Sequence, residues 1–480
     1  MNTAPGAGPH NTRADASAWV FFCLAALLSL APLIRGGNRQ LASALLLAIG
    51  LCALAGLLAT LVTRLHLRQP LNPDALPPGW RMAVLLLASS PAWLALLQLV
   101  PLPASVWQGL AGRSDYLGAL QSAGLPRPEY LPLSLNPSAT RAALWSAVPV
   151  SAAFLAALVL GRRHTDRLLG LFMAAAGLQA LLAVLQLGGG VQSFFYFGSA
   201  HAGSVIGTFN NRNHLADFLG MSVPIWFYFA LRKPGRSHGA LSRWLPRSAW
   251  WPLWIVLGFA IFVVLLLTQS RGGLLATSAA LIGCGWLMLR TRGQELPPRL
   301  RWATMAGLAF FVLAALVSVG LEGLSQRFEG QRLVVDAQVR HTYALSTVTA
   351  AQHFWPWGSG VGTFESVFPR FQDVSSLGYV EYAHNDYPQL LMELGGFALL
   401  PVGAALYLAL RQIGRLRASP SGARMRTGTL QRCLAGLGVA VLLLHSWVEF
   451  NLHIPALAIT AAFLAGVFLR PITSAGQEED

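Results

Sequence analysis

The chain reads as an all-α integral membrane protein of about twelve transmembrane helices, with one large polar loop domain between the ninth and the tenth. Three observations predict this. Hydrophobic residues make up 54% of the 480 residues and charged ones only 11%, against about 25% charged in an ordinary soluble domain. The apolar residues gather into runs of membrane-crossing length. One long stretch, 321–388, breaks the pattern, with four Arg against seven Asp and Glu in a chain whose net charge is +15.

A hydrocarbon core about 30 Å thick needs roughly 20 apolar residues at about 1.5 Å each. Runs near that length, bounded by charge or by Pro and Gly, lie at 17–34, 41–62, 82–100, 139–160, 167–187, 214–231, 250–268, 273–290, 302–320, 388–410, 430–449 and 454–470. The fourth, sixth and tenth are the least uniformly apolar. The first run has a full span's length rather than the about 7–15 residues of a signal-peptide core, so a retained helix is expected after a short tail at 1–16. The organisation that follows is spans one to nine over 17–320, a loop domain at 321–388, spans ten to twelve over 388–470 and a second tail at 471–480.

Cytoplasmic loops retain Lys and Arg. With both termini inside, most of the 34 basic residues fall on the tails and the even-numbered connections, among them Arg162, Arg163, Arg167, Arg232, Lys233 and the series from Arg411 to Arg432. Such loops match anionic lipid headgroups, and no basic stretch with interleaved aromatics suggests a nucleic-acid partner. The opposite face receives 101–138, 188–213, the turn at Ser270 and Arg271, the segment 321–388 and the turn at 450–453. Segment 101–138, opening on Pro-Leu-Pro, suits a short interfacial helix on the membrane rather than a folded domain. No internal repeat supports inverted-repeat transport architecture.

The four cysteines, Cys23, Cys52, Cys284 and Cys433, show no CxxC or His/Cys ligand spacing, which argues against disulfides and structural zinc. The outer loops lack HExxH, GK[ST] and Asp-x-Asp patterns, which argues against a zinc peptidase, an ATPase and metal-dependent transferases. No metal or cofactor is expected.

The candidate chemistry lies on the outer face. Arg271, in Gln269-Ser270-Arg271-Gly272-Gly273, stands at the membrane boundary and wants an anion. An ion pair with Asp217, Glu393 or Glu449, snorkelling to lipid, and a bidentate phosphate all satisfy it, and the two glycines would let a ligand approach closely. Arg340 reads either as a solvated charge or, with Arg271, as half of a pyrophosphate site that neutralises a leaving diphosphate. His384, before Asn385-Asp386-Tyr387, is either a hydrogen-bonded structural residue or a base that takes a proton from a sugar hydroxyl, with Asp386 placed to orient it. Glu393 inside the tenth span is costly unless paired, which marks a functional site or an ion pair; Glu449 and Asp217 read the same way. His201, His214, His341, His353, His445 and His453 read as structural. The aromatics of 321–388 suit sugar stacking or a small core, the core being preferred for most. Gly358-Ser359-Gly360-Val361-Gly362 lacks GxGxxG spacing and reads as a flexible turn, not a phosphate loop.

Four strings occur in order: Gly207-Thr208-Phe209-Asn210-Asn211-Arg212-Asn213-His214-Leu215-Ala216, Gln269-Ser270-Arg271-Gly272-Gly273, Gly358-Ser359-Gly360-Val361-Gly362-Thr363-Phe364, and His384-Asn385-Asp386-Tyr387-Pro388-Gln389-Leu390-Leu391-Met392-Glu393-Leu394-Gly395. Together they resemble the O-antigen ligase and polymerase family of bacterial envelope glycosyltransferases, most strongly over about residues 200–400. The resemblance implies a GT-C-like, metal-independent enzyme of the bacterial inner membrane, with cytoplasmic termini and a periplasmic active face. It implies an undecaprenyl-diphosphate-linked glycan as donor and a glycan, lipid A-core or protein hydroxyl as acceptor. By motif position Arg271 and Arg340 would contact the diphosphate and His384 would activate the acceptor, while Asn211, Asn213, Asn385, Asp386 and Glu393 would line the substrate site. Arg340 rests only on its spacing before the glycine run, and Asp217 stands outside the family pattern. A polysaccharide or lipid transporter and an O-linked protein oligosaccharyltransferase are the alternatives. Charge gathered at one face rather than along mid-span positions favours an enzyme over the transporter.

Overall fold

The computed structural model describes residues 11–66, 78–199, 203–231, 247–292, 298–329, 332–373, 378–418 and 427–470. The tail expected at 471–480, most of that at 1–16, His201 and the basic residues Arg232, Lys233, Arg236 and Arg243 lie outside them. Each of the twelve apolar runs falls on helix. In chain order the helices are α1 (Asn11–Leu33), α2 (Gln40–His66), α3 (Pro78–Gln98), α4 (Pro137–Val159), α5 (Arg162–Gly188), α6 (Arg212–Leu231), α7 (Arg247–Leu267), α8 (Arg271–Arg292), α9 (Pro298–Glu329), α10 (Arg332–His353), α11 (Asp386–Leu394), α12 (Leu399–Ala418), α13 (Thr427–His445) and α14 (Pro455–Phe468). Among the described residues, seven segments are long and apolar enough to cross a membrane, and five more apolar helices are shorter.

Their sequences explain the packing. With lipid outside, apolar side chains gain little by leaving it, so helices associate where small residues let backbones approach. A Cβ at Gly466 on α14 would lie 2.5 Å from the Phe154 carbonyl on α4, and one at Gly50 on α2 2.8 Å from the Pro149 backbone. The main core joins α1, α2, α4, α5, α6, α7, α8, α9, α13 and α14, with α6 buried along most of its length. Chain direction brings the ends of α1, α3, α5, α7, α9 and α13 to one end of the bundle, together with the starts of α2, α4, α6, α8 and α14.

Three details depart from the expected boundaries. α9 runs on to Glu329 rather than stopping near 320, and α10 begins at Arg332, so the segment 321–388 opens as helix. The tenth span is broken: α11 stops at Leu394, a 3-10 turn covers Gly395–Ala398, and α12 resumes at Leu399. The cause is Gly395, at φ +58°, where a Cβ would sit 2.3 Å from the Pro356 carbonyl; only glycine allows that approach.

Segment 101–138 is not simply an interfacial helix. It carries a two-stranded antiparallel pair, β1 (Pro101–Pro103) with β2 (Tyr130–Pro132), and a helix at Ser114–Ser122. The reason is Arg113, whose fully buried guanidinium donates to the carbonyls of Leu133 (2.7 Å) and Gly358 (2.6 Å), tying this segment to the glycine run. Burial pushes its pKa down to about 10. Beside it, a satellite core of Ala350, Phe354, Phe364, Val367, Phe368, Ala383 and Met392 buries three of the aromatics of 321–388, with Tyr343 and Phe371 packed partly buried against it; the core reading holds for these five. Trp355 and Tyr379 stay exposed.

Candidate functional site

Glu449 organises one end of the bundle. It lies just past α13, its side chain is 0% exposed, and its two oxygens are shared among four donors. Oε1 accepts from His384 Nδ1 at 3.0 Å and from the Phe450 backbone N at 3.3 Å. Oε2 accepts from Arg340 Nη1 at 3.0 Å and from the Asn213 side-chain amide. Residues from α6, α10, the α11 entry and the α13–α14 connection therefore converge on one carboxylate. Burial alone would raise its pKa, but the His384 hydrogen bond and the Arg340 charge prevail and hold it well below the usual carboxylate range.

An ionised carboxylate only accepts, so His384 Nδ1 carries a proton toward Glu449, and in the neutral imidazole Nε2 is then the lone-pair acceptor. The backbone bends to make this contact. His384 adopts φ +52°, a left-handed conformation uncommon for a non-glycine residue and characteristic of functional sites. Asp386 N donating to the Ser446 carbonyl at 3.0 Å then fastens the start of α11 to the end of α13. The Phe450 ring lies against His384 and His214, at 5.0 and 4.9 Å between centroids, and stacks on Tyr382 at 4.4 Å.

Arg271 opens α8 at the same end. Gly272 and Gly273 serve helix approach there: a Cβ at Gly272 would lie 2.6 Å from both His445 and Val448, and one at Gly273 2.8 Å from Ala216. Arg271 is thereby held beside the chain that leads into Glu449. Asp217 pairs with His445 Nδ1 at 3.2 Å, both buried.

The remaining residues divide differently from the expectation. Asp386 does not orient His384. It accepts from His453 Nδ1 at 2.8 Å and from Leu452 N at 3.0 Å. The tautomer of His453 follows from its other neighbour. Gln389 Oε1 accepts from Ala383 N at 3.0 Å, so its amide nitrogen faces His453 Nε2 at 3.1 Å, which must then be an acceptor. Asn385 caps α11 by accepting from Tyr387 N, and Asn211 accepts from Asn213 N at the start of α6; both are helix caps. Glu393 clamps the glycine run, its carboxylate accepting from Gly362 N at 2.9 Å and Phe364 N at 3.2 Å and its carbonyl from Gly360 N at 2.9 Å. Ser359 N and Val361 N are taken by the Met392 carbonyl and Gln98 Oε1. Those amides are spent on protein acceptors, so the run is a pinned turn with no N–H cradle for a phosphate.

Sequence reasoning missed the gathering role of Glu449 and the His453–Asp386 pair. The available signal was an acid placed at an outer turn next to aromatic and amide residues, which composition alone does not separate from an ordinary ion pair.

Helices fit to cross a membrane, with a histidine, an arginine and an amide drawn onto one buried carboxylate at their end, define a multi-pass membrane protein with a polar site at one edge of the bundle. Residues 255–403, the segment bearing Arg271, Arg340, His384 and Glu393, match the family described as O-antigen ligase. No curated protein and no solved structure matches the chain.

Proposed function

We propose that the protein is a membrane glycosyltransferase that moves a glycan from an undecaprenyl-diphosphate carrier to an acceptor hydroxyl at the periplasmic face of the inner membrane, as a polysaccharide polymerase or O-antigen ligase. The observation that carries this reading is the His384–Glu449–Arg340 constellation, with His384 and Arg340 inside the segment that matches the O-antigen ligase family. An acceptor hydroxyl attacks the anomeric carbon, its proton passes to His384 Nε2, and the bond from that carbon to the diphosphate oxygen breaks. Glu449 holds His384 in the required tautomer and balances the imidazolium that forms, a positioning role. Arg340, with its side chain 31% exposed, and Arg271 would stabilise charge developing on the departing diphosphate. A reservoir of free energy in the carrier bond is consistent with a compartment that holds no ATP or nucleotide sugars. The twelve apolar helices, with both termini cytoplasmic, would then form the spans.

The test is transfer by purified protein from an undecaprenyl-diphosphate oligosaccharide. Products that lengthen with donor alone indicate a polymerase, and products that need lipid A-core or a protein indicate a ligase or a protein transferase. His384→Ala and Arg271→Ala are each expected to abolish transfer while the protein stays folded and inserted. Elongation by His384→Ala at the wild-type rate would overturn the mechanism.

A further inference from the structure

We propose that a small pocket beside the site binds an acidic sugar residue of the acceptor glycan, with Arg35 as its anion-binding group; the acceptor assignment rests on the transferase reading above. The pocket has a volume of about 170 Å³ and lies between the α1–α2 turn and residues 196–199 and 207–210, with Arg35, Tyr196, Phe197, Thr208, Phe209 and Asn210 among its walls. An engineered cavity of about 150 Å³ admits benzene, so one six-membered ring fits this volume. Its walls combine aromatic faces with hydroxyl and amide groups, the mixture that a sugar's apolar face and hydroxyls require. Arg35 is the one charged residue among the described residues lining it.

The placement of Arg35 is built. It adopts φ +57° and is followed by Gly36 and Gly37 at φ +71° and +83°. A Cβ at Gly36 would lie 3.1 Å from the Phe209 ring and one at Gly37 2.9 Å from Pro455, so the turn is wedged against both. Arg35 Nη2 donates to the carbonyl of Phe197, itself left-handed at φ +50°. That is the one hydrogen bond its guanidinium makes among the described residues, and a fork of five N–H donors keeps capacity for a carboxylate. Non-glycine residues in this conformation persist where the surroundings over-determine them.

The opposite wall is equally fixed. Two fully buried glutamines on α5 spend both ends of their amides on the loop. Gln179 accepts from Thr208 N at 2.9 Å and donates to Thr208 Oγ1 at 2.7 Å. Gln186 accepts from Ile206 N and Gly207 N and donates to the carbonyls of Gly207 and Phe195. Such pre-organisation lowers the ordering cost of binding. Asn210 lines the pocket and Asn213, three residues on, donates to Glu449, so the chain that walls the pocket continues directly into the cluster that holds His384.

The test measures binding to the full chain in phosphatidylcholine nanodiscs with two probes, methyl glucuronide and its neutral counterpart methyl glucoside. Wild type is expected to favour the glucuronide by about tenfold or more, the scale of one charge-assisted hydrogen bond. Arg35→Gln, which keeps a donor for Phe197 but loses the charge, should erase that preference, and Arg35→Lys should restore part of it. Should Arg35→Gln not fold, Asn210→Asp, which sets a repelling carboxylate at an exposed position of the wall, should erase it as well. An unchanged preference in these variants, or none in wild type, overturns the proposal. Loss of the preference in phosphatidylglycerol discs would assign the anion to a lipid headgroup and overturn the sugar assignment. Because binding is read without turnover, a protein that shows the preference but transfers nothing refutes the transferase reading and leaves the pocket's anion selectivity standing.

Discussion

Replacing Glu449 with Gln tests the core of the proposed chemistry with the smallest change of shape. The carboxylate accepts on both oxygens, from His384 Nδ1 and Phe450 N on one side and from Arg340 and Asn213 on the other. An amide has one oxygen. If that oxygen serves Arg340 and Asn213, the NH2 group faces His384 Nδ1, which must then give up its proton and carry it on Nε2, leaving no base for the acceptor. If the amide turns over, its NH2 faces the N–H donors of Arg340. By analogy with neutralising the carboxylate behind a catalytic histidine, turnover should fall roughly 10²–10⁴-fold, about 3–5.5 kcal/mol on the barrier. Arg340 keeps part of its guanidinium in solvent, with its side chain 31% exposed, so losing the carboxylate should also cost about 1–3 kcal/mol of stability rather than the penalty of a fully buried charge. The assay is the initial rate of glycan transfer at saturating lipid-linked donor, alongside thermal unfolding in the same detergent. Glu449→Asp, which keeps the charge but reaches less far, should fall between. A folded Gln variant that transfers within about twofold of wild type would refute the argument that Glu449 sets the His384 tautomer.

Three further outcomes follow. Glu393→Gln sets an amide NH2 against the N–H of Gly362 or Phe364; it should destabilise by about 1–3 kcal/mol while lowering turnover far less than Glu449→Gln, readable by comparing melting temperature with turnover. Gly395→Ala places a methyl 2.3 Å from the Pro356 carbonyl in a left-handed residue, and should cost more than about 1–3 kcal/mol, measured as loss of folded protein on heating. The folded pKa of Glu449 is depressed below the unfolded value of about 4.3. Its stability contribution is thus fully present above that value and is lost as pH falls through the folded one. The melting-temperature gap between wild type and Glu449→Gln should therefore close in strong acid, as pH falls through the folded Glu449 value; a gap that persists in full there would contradict this sign.

Much of the fold is legible because the bilayer imposes a length rule on apolar runs: all twelve fall on helix, with errors at the ends. The break at Gly395 was invisible because it depends on a carbonyl from Pro356, which meets it only in three dimensions. The fold of 101–138 was hidden for a similar reason, since Arg113 reads as one more outer arginine until it reaches the Gly358 carbonyl. In the site, the motif residues Arg340 and His384 meet on one carboxylate, but their common partner lies 65 residues beyond His384. Periodicity and local spacing cannot report such a contact. Asp386 illustrates the opposite error: nearness in sequence to His384 suggested a partner, while the helix start turns it toward His453.

The central claim is tested most directly by incubating purified protein with undecaprenyl-diphosphate oligosaccharide and acceptor, and following both products by mass spectrometry. The account predicts free undecaprenyl diphosphate appearing in step with each new glycosidic bond, in wild type and not in His384→Ala. Donor that crosses the membrane intact, with no carrier released and no bond formed, would contradict it.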